Sequence, residues 1–473
     1  MNKNKELFKN TIIISAGRFT TQFISFILLP IYTFNLSPNE YGEVDIILAY
    51  TLLLAPLLTI QLEMASFRFL IDARGDKEKI SNIISSTLTI VFKMLFVCLI
   101  GSIIITRFVN MPYAFILSLN ILFTIITNVF LQFARGLGDN KKYAIGSTIT
   151  GLFTLISSLI CLIVFNLGIS GVIASIIIAN IACMIYLYFG LNIKQFIDFK
   201  INNPKIRSEL IRYSLPLVIS SLSWWIINVS DRTIITLTLG ATANGIYAVA
   251  NKYAAIYIAI FFVFYMSWSE STALHIKSKD RTVFFSSSLN SAIKFFSALG
   301  IILIAIYPIF SAFLISTEFK EASQYVPVLI MAAYFSSING MYSAIYLALK
   351  KSAHVAKTTL YAAIFNVIVT VCLVQYIGVM GAAIATTLSF VLLTLLRFFD
   401  IKNYVTLKHD TKLFIKILIA YVISIVLFYQ YSTIGNISNI IFAGLFFIYL
   451  NSSLIKTLFN TARTRINRKK FTS

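Results

Sequence analysis

Four basic residues stand inside long apolar segments of the sequence: Arg18, Lys93, Lys252 and Lys294. A cation at the centre of a bilayer costs about 2.5–3.5 kcal/mol on insertion scales, so each should meet water, a counter-ion or an anionic ligand. The guanidinium fork of Arg18 suits bidentate contact with a phosphate, and Lys252 lies on an alanine-rich segment that favours close packing. Lys93 and Lys294 could extend their aliphatic side chains so that the ammonium groups reach the lipid headgroups. A structural role and a binding role therefore both stay open for these two residues.

Polar side chains recur at helical spacing in two of the apolar segments. The first segment carries Ser15, Arg18, Gln22, Ser25 and Tyr32, and a later one carries Ser214, Ser221, Asn228 and Asp231. Steps of three, four and seven place each set on one face of a helix. An offset of 203 residues relates Arg18 to Ser221 and Ser25 to Asn228. The two faces predict a shared polar lumen, and the alternative is that small polar residues only join helices.

Acidic residues in the apolar segments are fewer. Glu63 precedes Arg68 by five residues, and Asp231 is followed directly by Arg232. Each acid is interpreted either as half of a local ion pair at a membrane boundary or as a gating or ion-coupling carboxylate. The sequence shows no nucleophile motif, phosphate loop or metal-ligand spacing. We therefore predict a protein that is not an enzyme and that needs no cofactor or metal.

The segments that position these residues are long enough to be membrane spans. Of the residues, 58% are hydrophobic and 12% are charged, whereas soluble domains are about 25% charged. About 20 apolar residues cross a hydrocarbon core of about 30 Å. Such segments fall at 11–34, 44–69, 83–106, 112–134, 143–166, 169–191, 213–239, 242–268, 283–309, 325–349, 357–377, 379–400, 413–430 and 434–458. The prediction is an all-α polytopic membrane protein of about fourteen transmembrane helices.

The basic residues outside the spans fall almost entirely in every second gap. The alternate gaps hold only Arg107, Arg232 and Lys320. This asymmetry predicts a multi-spanning membrane protein with both termini in the cytoplasm. The net charge of +21 then lies beside anionic lipid headgroups, so nucleic acid is not needed as a partner. The four cysteines lie within apolar segments and predict neither disulfides nor a zinc site.

An internal repeat relates the two halves of the sequence. Residues 36–42 (LSPNEYG) match residues 239–245 (LGATANG), and residues 168–174 (GISGVIA) match residues 378–384 (GVMGAAI). The offsets of 203 and 210 make spans one to six and seven to twelve copies of each other. We predict two pseudo-symmetric six-helix lobes, 1–200 and 201–405, with two further helices and a basic tail in 406–473.

The sequence resembles the polysaccharide-type lipid-linked oligosaccharide flippases of the multidrug/oligosaccharidyl-lipid/polysaccharide exporter superfamily. The resemblance rests on residues 36–42, on Asp231-Arg232, on residues 239–247 and on Lys252 behind them. The resemblance implies two six-helix bundles that form a V around a central cavity. This cavity would open alternately to the two sides of the membrane. The resemblance also implies an undecaprenyl-pyrophosphate-linked glycan as the substrate.

In the resembling family, cations on helices one, two and eight meet the lipid pyrophosphate. Arg18 and Lys252 match the first and the eighth helix, whereas helix two has no cation before Arg68. The substrate-binding set expected here is Arg18, Gln22, Ser25, Asn228, Lys252, Lys93 and Lys294. The gating or ion-coupling set is Glu63, Asp231 and Arg232.

Two other functions share parts of this pattern. A small-molecule cation antiporter of the same superfamily would have the same fold but is expected to favour an acidic cavity. A polysaccharide polymerase or ligase resembles chains with a long extracytoplasmic loop, whereas these gaps are short. Transport would draw on a proton gradient, a sodium gradient or the membrane potential. The expected partners are membrane lipids and a glycan polymerase machinery, and the protein is expected to be a monomer.

Overall fold

A computed structural model describes residues 23–108, 113–198, 203–408 and 410–470. Within these ranges every regular element is a helix. The chain divides into two compact units, a first unit of Met1–Ala248 and a second unit of Val249–Ser473. The repeat boundary near residue 200 is a feature of the sequence and stays a prediction.

The described residues of the first unit contain eight α-helices, the start of a ninth and a short 3-10 helix, Ile193–Phe196. The α-helices are α1 (Phe23–Asn35), α2 (Pro38–Leu58), α3 (Leu62–Asp72), α4 (Lys77–Phe108), α5 (Ala114–Gly136), α6 (Asn140–Leu159), α7 (Gly168–Gly190), α8 (Pro204–Leu239) and α9 (Ala241–His275). A π-helical segment, Ile160–Val164, prolongs α6. Buried residues such as Ile84, Val129 and Leu187 form the core between α4, α5 and α7.

The described residues of the second unit contain the rest of α9, six further α-helices and a short 3-10 helix, Thr317–Gln324. The further α-helices are α10 (Arg281–Leu314), α11 (Val326–Ala348), α12 (Ser352–Ile377), α13 (Val379–Ile401), α14 (Thr411–Phe428) and α15 (Thr433–Lys470). Helix α11 supplies much of the core, with Ile330, Tyr334 and Tyr346 fully buried.

Thirteen of the described helices are long and apolar enough to cross a membrane, and α1 is a shorter apolar helix. The predicted span 11–34 begins outside the described residues, and α1 covers its end. Phe96, Phe189 and Leu237 lie on these helices with 65%, 69% and 80% of their surface exposed. Apolar side chains exposed in this way along a span are suited to lipid contact. The protein is a multi-pass membrane protein, and the all-α prediction is confirmed.

The predicted span 44–69 is wrong as a single helix, because it breaks between α2 and α3. Ile60 and Gln61 have φ values of 51° and 56°, a left-handed conformation that a β-branched residue rarely adopts. Pro56 has no amide hydrogen and cannot donate a helical hydrogen bond. The Pro56 carbonyl accepts the amide of Gln61, five residues later, at 3.1 Å. The Gln61 Nε2 donates to Ser221 Oγ of α8 at 3.2 Å. The break therefore ties α2 and α3 to α8.

Candidate functional site

The first half of the repeated motif, residues 36–42, forms the start of α2. The amide of Glu40 donates to Ser37 Oγ at 3.3 Å, and the amide of Ser37 donates to Glu40 Oε2 at 2.9 Å. This reciprocal cap satisfies two donors at the helix end. Gly42 and Asp45 follow three residues apart, so they lie on the same face of α2.

The starts of α2 and α9 touch through their backbones at Gly42 and Gly245. A Cβ added to Gly42 would stand 1.8 Å from the carbonyl oxygen of Ala241, and one added to Gly245 would stand 1.9 Å from that of Pro38. No real Cβ comes so close, so any larger residue would force the two helices apart. Glycine is required at both positions by this close approach.

This contact joins positions that the sequence repeat makes equivalent. At the offset of 203 residues, Pro38, Asn39 and Gly42 correspond to Ala241, Thr242 and Gly245. The hydroxyl of Thr242 also donates to Asn39 Oδ1 at 3.4 Å. The two copies of the motif therefore form one pseudo-symmetric crossing, which we call the glycine crossing (residues 38–45 and 241–248).

A cluster of charged and polar side chains lies next to the glycine crossing. Arg232 Nη1 of α8 donates to Asp45 Oδ1 of α2 at 2.8 Å. Asn244 Nδ2 of α9 donates to Asp45 Oδ2 at 3.3 Å and to a backbone carbonyl of α2. Asp231 Oδ1 accepts the backbone amide of Arg232 at 2.9 Å, and Tyr247 donates its hydroxyl to Asp231 Oδ2. We call these five residues the polar cluster.

The polar cluster is almost completely enclosed. Asp45 and Asp231 are 5% and 6% exposed, Asn244 and Tyr247 are fully buried, and the side chain of Arg232 is 20% exposed. Separating a buried ion pair without hydrating both partners costs several kcal/mol. The cluster therefore helps to hold α2, α8 and α9 together.

The acids predicted from sequence do not form the local pairs that their spacing suggested. Arg68 pairs with Asp72 at 2.6 Å, because a spacing of four residues aligns side chains on a helix and a spacing of five does not. Glu63 Oε2 is buried and has no hydrogen-bond partner among the described residues. The guanidinium of Arg232 pairs with Asp45. Asp231 is bonded to the backbone amide of Arg232, and not to its guanidinium.

The predicted substrate-binding residues are spread over both units. Arg18 and Gln22 lie outside the described residues. Ser25 is half-buried on α1, and Asn228 is exposed on α8 with its amide bonded to Trp224 O of the same helix at 2.9 Å. Lys93 is exposed on α4, and Lys252 and Lys294 are half-buried on α9 and α10. The binding roles of all these residues stay predictions.

The second unit holds a buried cation, Arg397 of α13, which is 3% exposed. Its guanidinium makes five hydrogen bonds, all to neutral oxygen atoms of α11 and α12. They run to Asn339 O (2.8 Å), Ser343 Oγ (2.6 Å), Thr358 Oγ1 (3.2 Å), Thr359 Oγ1 (2.9 Å) and Val355 O (3.5 Å). Since these bonds use all five donors of an arginine, Arg397 fastens three helices and has no donor left for a ligand.

A second polar group lies one turn further along α13. Asp400 Oδ2 contacts His354 Nδ1 at 3.2 Å and accepts the hydroxyl of Tyr346 at 2.7 Å. The Tyr404 hydroxyl lies 3.1 Å from His354 Nε2. These contacts join α11, α12 and α13 at the same end as Arg397, so they reinforce its structural role.

Replacing Arg397 is expected to destabilise the second unit. Interhelical hydrogen bonds in membranes average about 0.6 kcal/mol each, so Arg397→Ala should lower the free energy of unfolding by about 3 kcal/mol. Arg397→Lys should recover only part, because an ammonium has three donors and no planar fork. Thermal unfolding of the purified protein in detergent measures this. The control is Lys412→Ala, an exposed cation, and equal melting temperatures for both alanine variants would contradict the account.

Sequence reasoning missed Asp45, Asn244 and Arg397. Asp45 carries a usable signal, since it is a charge at the start of an apolar segment, three residues after the motif glycine. Arg397 lies inside the predicted span 379–400 and belongs with the intramembrane cations. No sequence signal links Asn244 to Asp45, because their contact depends on the glycine crossing.

Comparisons with known proteins agree with this architecture. The profile of a family described as "Polysaccharide biosynthesis protein" matches residues 7–268. The sequence finds no match among curated proteins. The fold is similar to "Lipid II flippase MurJ, inward closed conformation", with a TM-score of 0.73 and 16% identity over 95% of this chain and 100% of that one.

Two other solved structures extend the likeness. An inward-facing multidrug resistance MATE family transporter of the MOP superfamily has a TM-score of 0.69 and 14% identity, over 81% of this chain and 95% of that one. A MOP superfamily transporter from Pyrococcus furiosus, described by the reverse polarity of its binding pocket, has a TM-score of 0.54 and 14% identity, over 83% and 96%. At these identities the likeness shows the fold alone.

Proposed function

We propose that this chain, which belongs to the polysaccharide biosynthesis protein family, is a flippase for lipid-linked oligosaccharides. Two findings together carry the proposal. The chain belongs to that family, and its fold is similar to that of a lipid II flippase over 95% of its length. The cargo we propose is an undecaprenyl-pyrophosphate-linked repeat unit, which moves from the inner to the outer leaflet. Its lipid tail stays in the bilayer while the pyrophosphate and sugars cross.

The charge inside the spans supports an anionic cargo. Arg18, Lys93, Lys252 and Lys294 are all cationic, and a pyrophosphate is a ligand that such groups attract. We assign Arg18 and Lys252 to the pyrophosphate, and Gln22, Ser25 and Asn228 to polar contacts along its path. The same residues would repel a small cation. For this reason the cation antiporter is our second candidate function.

The glycine crossing is the proposed outer gate. The asymmetry of basic residues predicts that residues 36–42 and 239–245 lie on the outer side of the membrane. We propose that α2 and α9 part at Gly42 and Gly245 when the site opens outward, and meet there when it opens inward. Glu63, Asp231 and Arg232 are assigned to gating or ion coupling. Cargo drives this exchange only through a difference in its affinity for the two states.

Loss of the gene tests the proposed cargo. In a strain with no other member of the family, deletion is expected to abolish the surface glycan and to accumulate its lipid-linked precursor in the membrane. Resistance to cationic drugs should not change. A strain that keeps its surface glycan but becomes drug-sensitive would favour the antiporter instead.

A further inference from the structure

The polar cluster contains one more acid than base. Asp45 and Asp231 are acids, and Arg232 is the base. The groups that face these charges are Asp45 and Tyr41 from α2, Arg232 from α8, and Asn244 and Tyr247 from α9. If both acids were ionised, the cluster would hold one uncompensated negative charge among buried side chains. An uncompensated buried charge is costly, and such a group takes up a proton instead.

The contacts identify which acid pairs directly with the guanidinium, whose charge also acts on Asp231 but without a hydrogen bond between them. The guanidinium of Arg232 lies 2.8 Å from Asp45 Oδ1, so Asp45 is the compensated acid. Asp231 receives only neutral donors, the backbone amide of Arg232 and the hydroxyl of Tyr247. Asp231 is therefore the group that a proton would neutralise.

A metal ion fits this cluster poorly. Each of the four carboxylate oxygens of Asp45 and Asp231 already accepts a hydrogen bond, and the guanidinium of Arg232 would repel a cation placed beside it. The cluster therefore lacks one positive charge, and an acidic proton supplies it.

We propose that Asp231 binds one proton when the glycine crossing is closed, and that the protonated carboxyl still accepts the hydroxyl of Tyr247. When α2 and α9 part, water reaches Asp231 and the carboxyl releases the proton. The binding of this proton is a property of the closed cluster alone. Its use to couple transport to a proton gradient rests on the flippase function proposed above.

Infrared difference spectroscopy of the purified protein at neutral pH tests the bound proton without any transport. Because Glu63 is a second buried carboxyl that would give the same band, the reference protein, called wild type in this experiment, and every variant carry Glu63→Gln. The wild type should show the carbonyl stretch of a protonated carboxylic acid. Asp231→Asn should remove this band. Asp45→Asn should remove it too, because Arg232 is then free to neutralise Asp231. Arg232→Gln should increase the band, since it leaves two buried acids and no base.

The matched control is Asp72→Asn, because Asp72 is exposed and pairs with Arg68. That variant should keep the wild-type band. A wild-type protein without the band, or a band that survives in Asp231→Asn, would overturn the proposal. Since Asp231→Asn changes no side-chain volume appreciably, its melting temperature shows whether a lost band reflects unfolding.

Proteoliposomes separate the coupling role from the cargo. Wild-type transport should quicken when a pH gradient is imposed, and Asp231→Asn should transport at a rate that the gradient does not change. If the band behaves as expected but no lipid-linked glycan moves, the flippase function fails while the proton site stands. If the wild type transports glycan at a rate that the pH gradient does not change, the flippase function is supported and the coupling role is wrong.

Discussion

A disulfide between cysteines placed at Asn39 and Thr242 is expected to stop glycan translocation almost completely. The side-chain oxygens of these two residues lie 3.4 Å apart across the glycine crossing, and both residues belong to the first unit. A disulfide needs Cβ atoms about 3.5–4.5 Å apart. The backbones of α2 and α9 touch one turn further on, at Gly42 and Gly245, so we expect the two cysteines to come close enough to oxidise. Because α2 and α9 could then no longer part, the outer gate would stay shut.

This experiment needs a background without reactive thiols. Cys98, Cys161, Cys183 and Cys372 are free cysteines and would be replaced by alanine. Each single cysteine variant, oxidised in the same way, is the control and should transport at the rate of that background. Reduction should restore the double variant. If the cross-linked protein translocated glycan at an undiminished rate, the gate would lie elsewhere.

Arg18→Ala is expected to abolish translocation while the protein stays inserted and folded. Hydrogen bonds to charged groups contribute about 1.5–3 kcal/mol each, so losing one such bond to a phosphate lowers affinity roughly 10- to 150-fold. Arg18→Lys should keep part of the activity, because it retains the charge and loses the fork. Surface glycan in the deletion strain, complemented by each variant, measures the effect.

The control for Arg18 is Lys9→Ala, which removes a cation from the same terminus outside the apolar segment. Its glycan level should match that of the wild type. Full glycan export by Arg18→Ala, at equal protein abundance in the membrane, would show that Arg18 does not bind the cargo.

Much of the fold could be predicted from the sequence, because membrane spans have a length and a composition that local sequence reports. The predicted end of one span and start of the next are confirmed at Gly240, which has a φ of 90° that glycine adopts without strain. The break at Ile60 could not be predicted. Pro56 alone is tolerated in membrane helices, and the left-handed turn after it depends on contacts with α8.

The candidate site was predictable only in part. The repeat identified residues 36–42 and 239–245 as equivalent, but equivalence does not say that Gly42 touches Gly245. Asp231 and Arg232 drew attention as charges near a span end. The partner of Arg232 is Asp45, 187 positions away, and a single sequence carries no signal for a pair so distant. Burial is the reason why the charges of Asp45 and Asp231 must be neutralised. If the two acids were exposed, water would stabilise their charges without Arg232 or a proton.

The most direct test of the account is lipid-linked glycan movement in proteoliposomes that contain only this protein. The probe is an undecaprenyl-pyrophosphate-linked oligosaccharide with a labelled sugar, and the readout is the fraction that an external glycosidase reaches over time. We expect the wild type to move the probe and to leave a labelled phospholipid in place, and the oxidised Asn39→Cys/Thr242→Cys protein to move neither. A folded wild-type protein that leaves the probe where it began, or moves both lipids equally, would contradict the account.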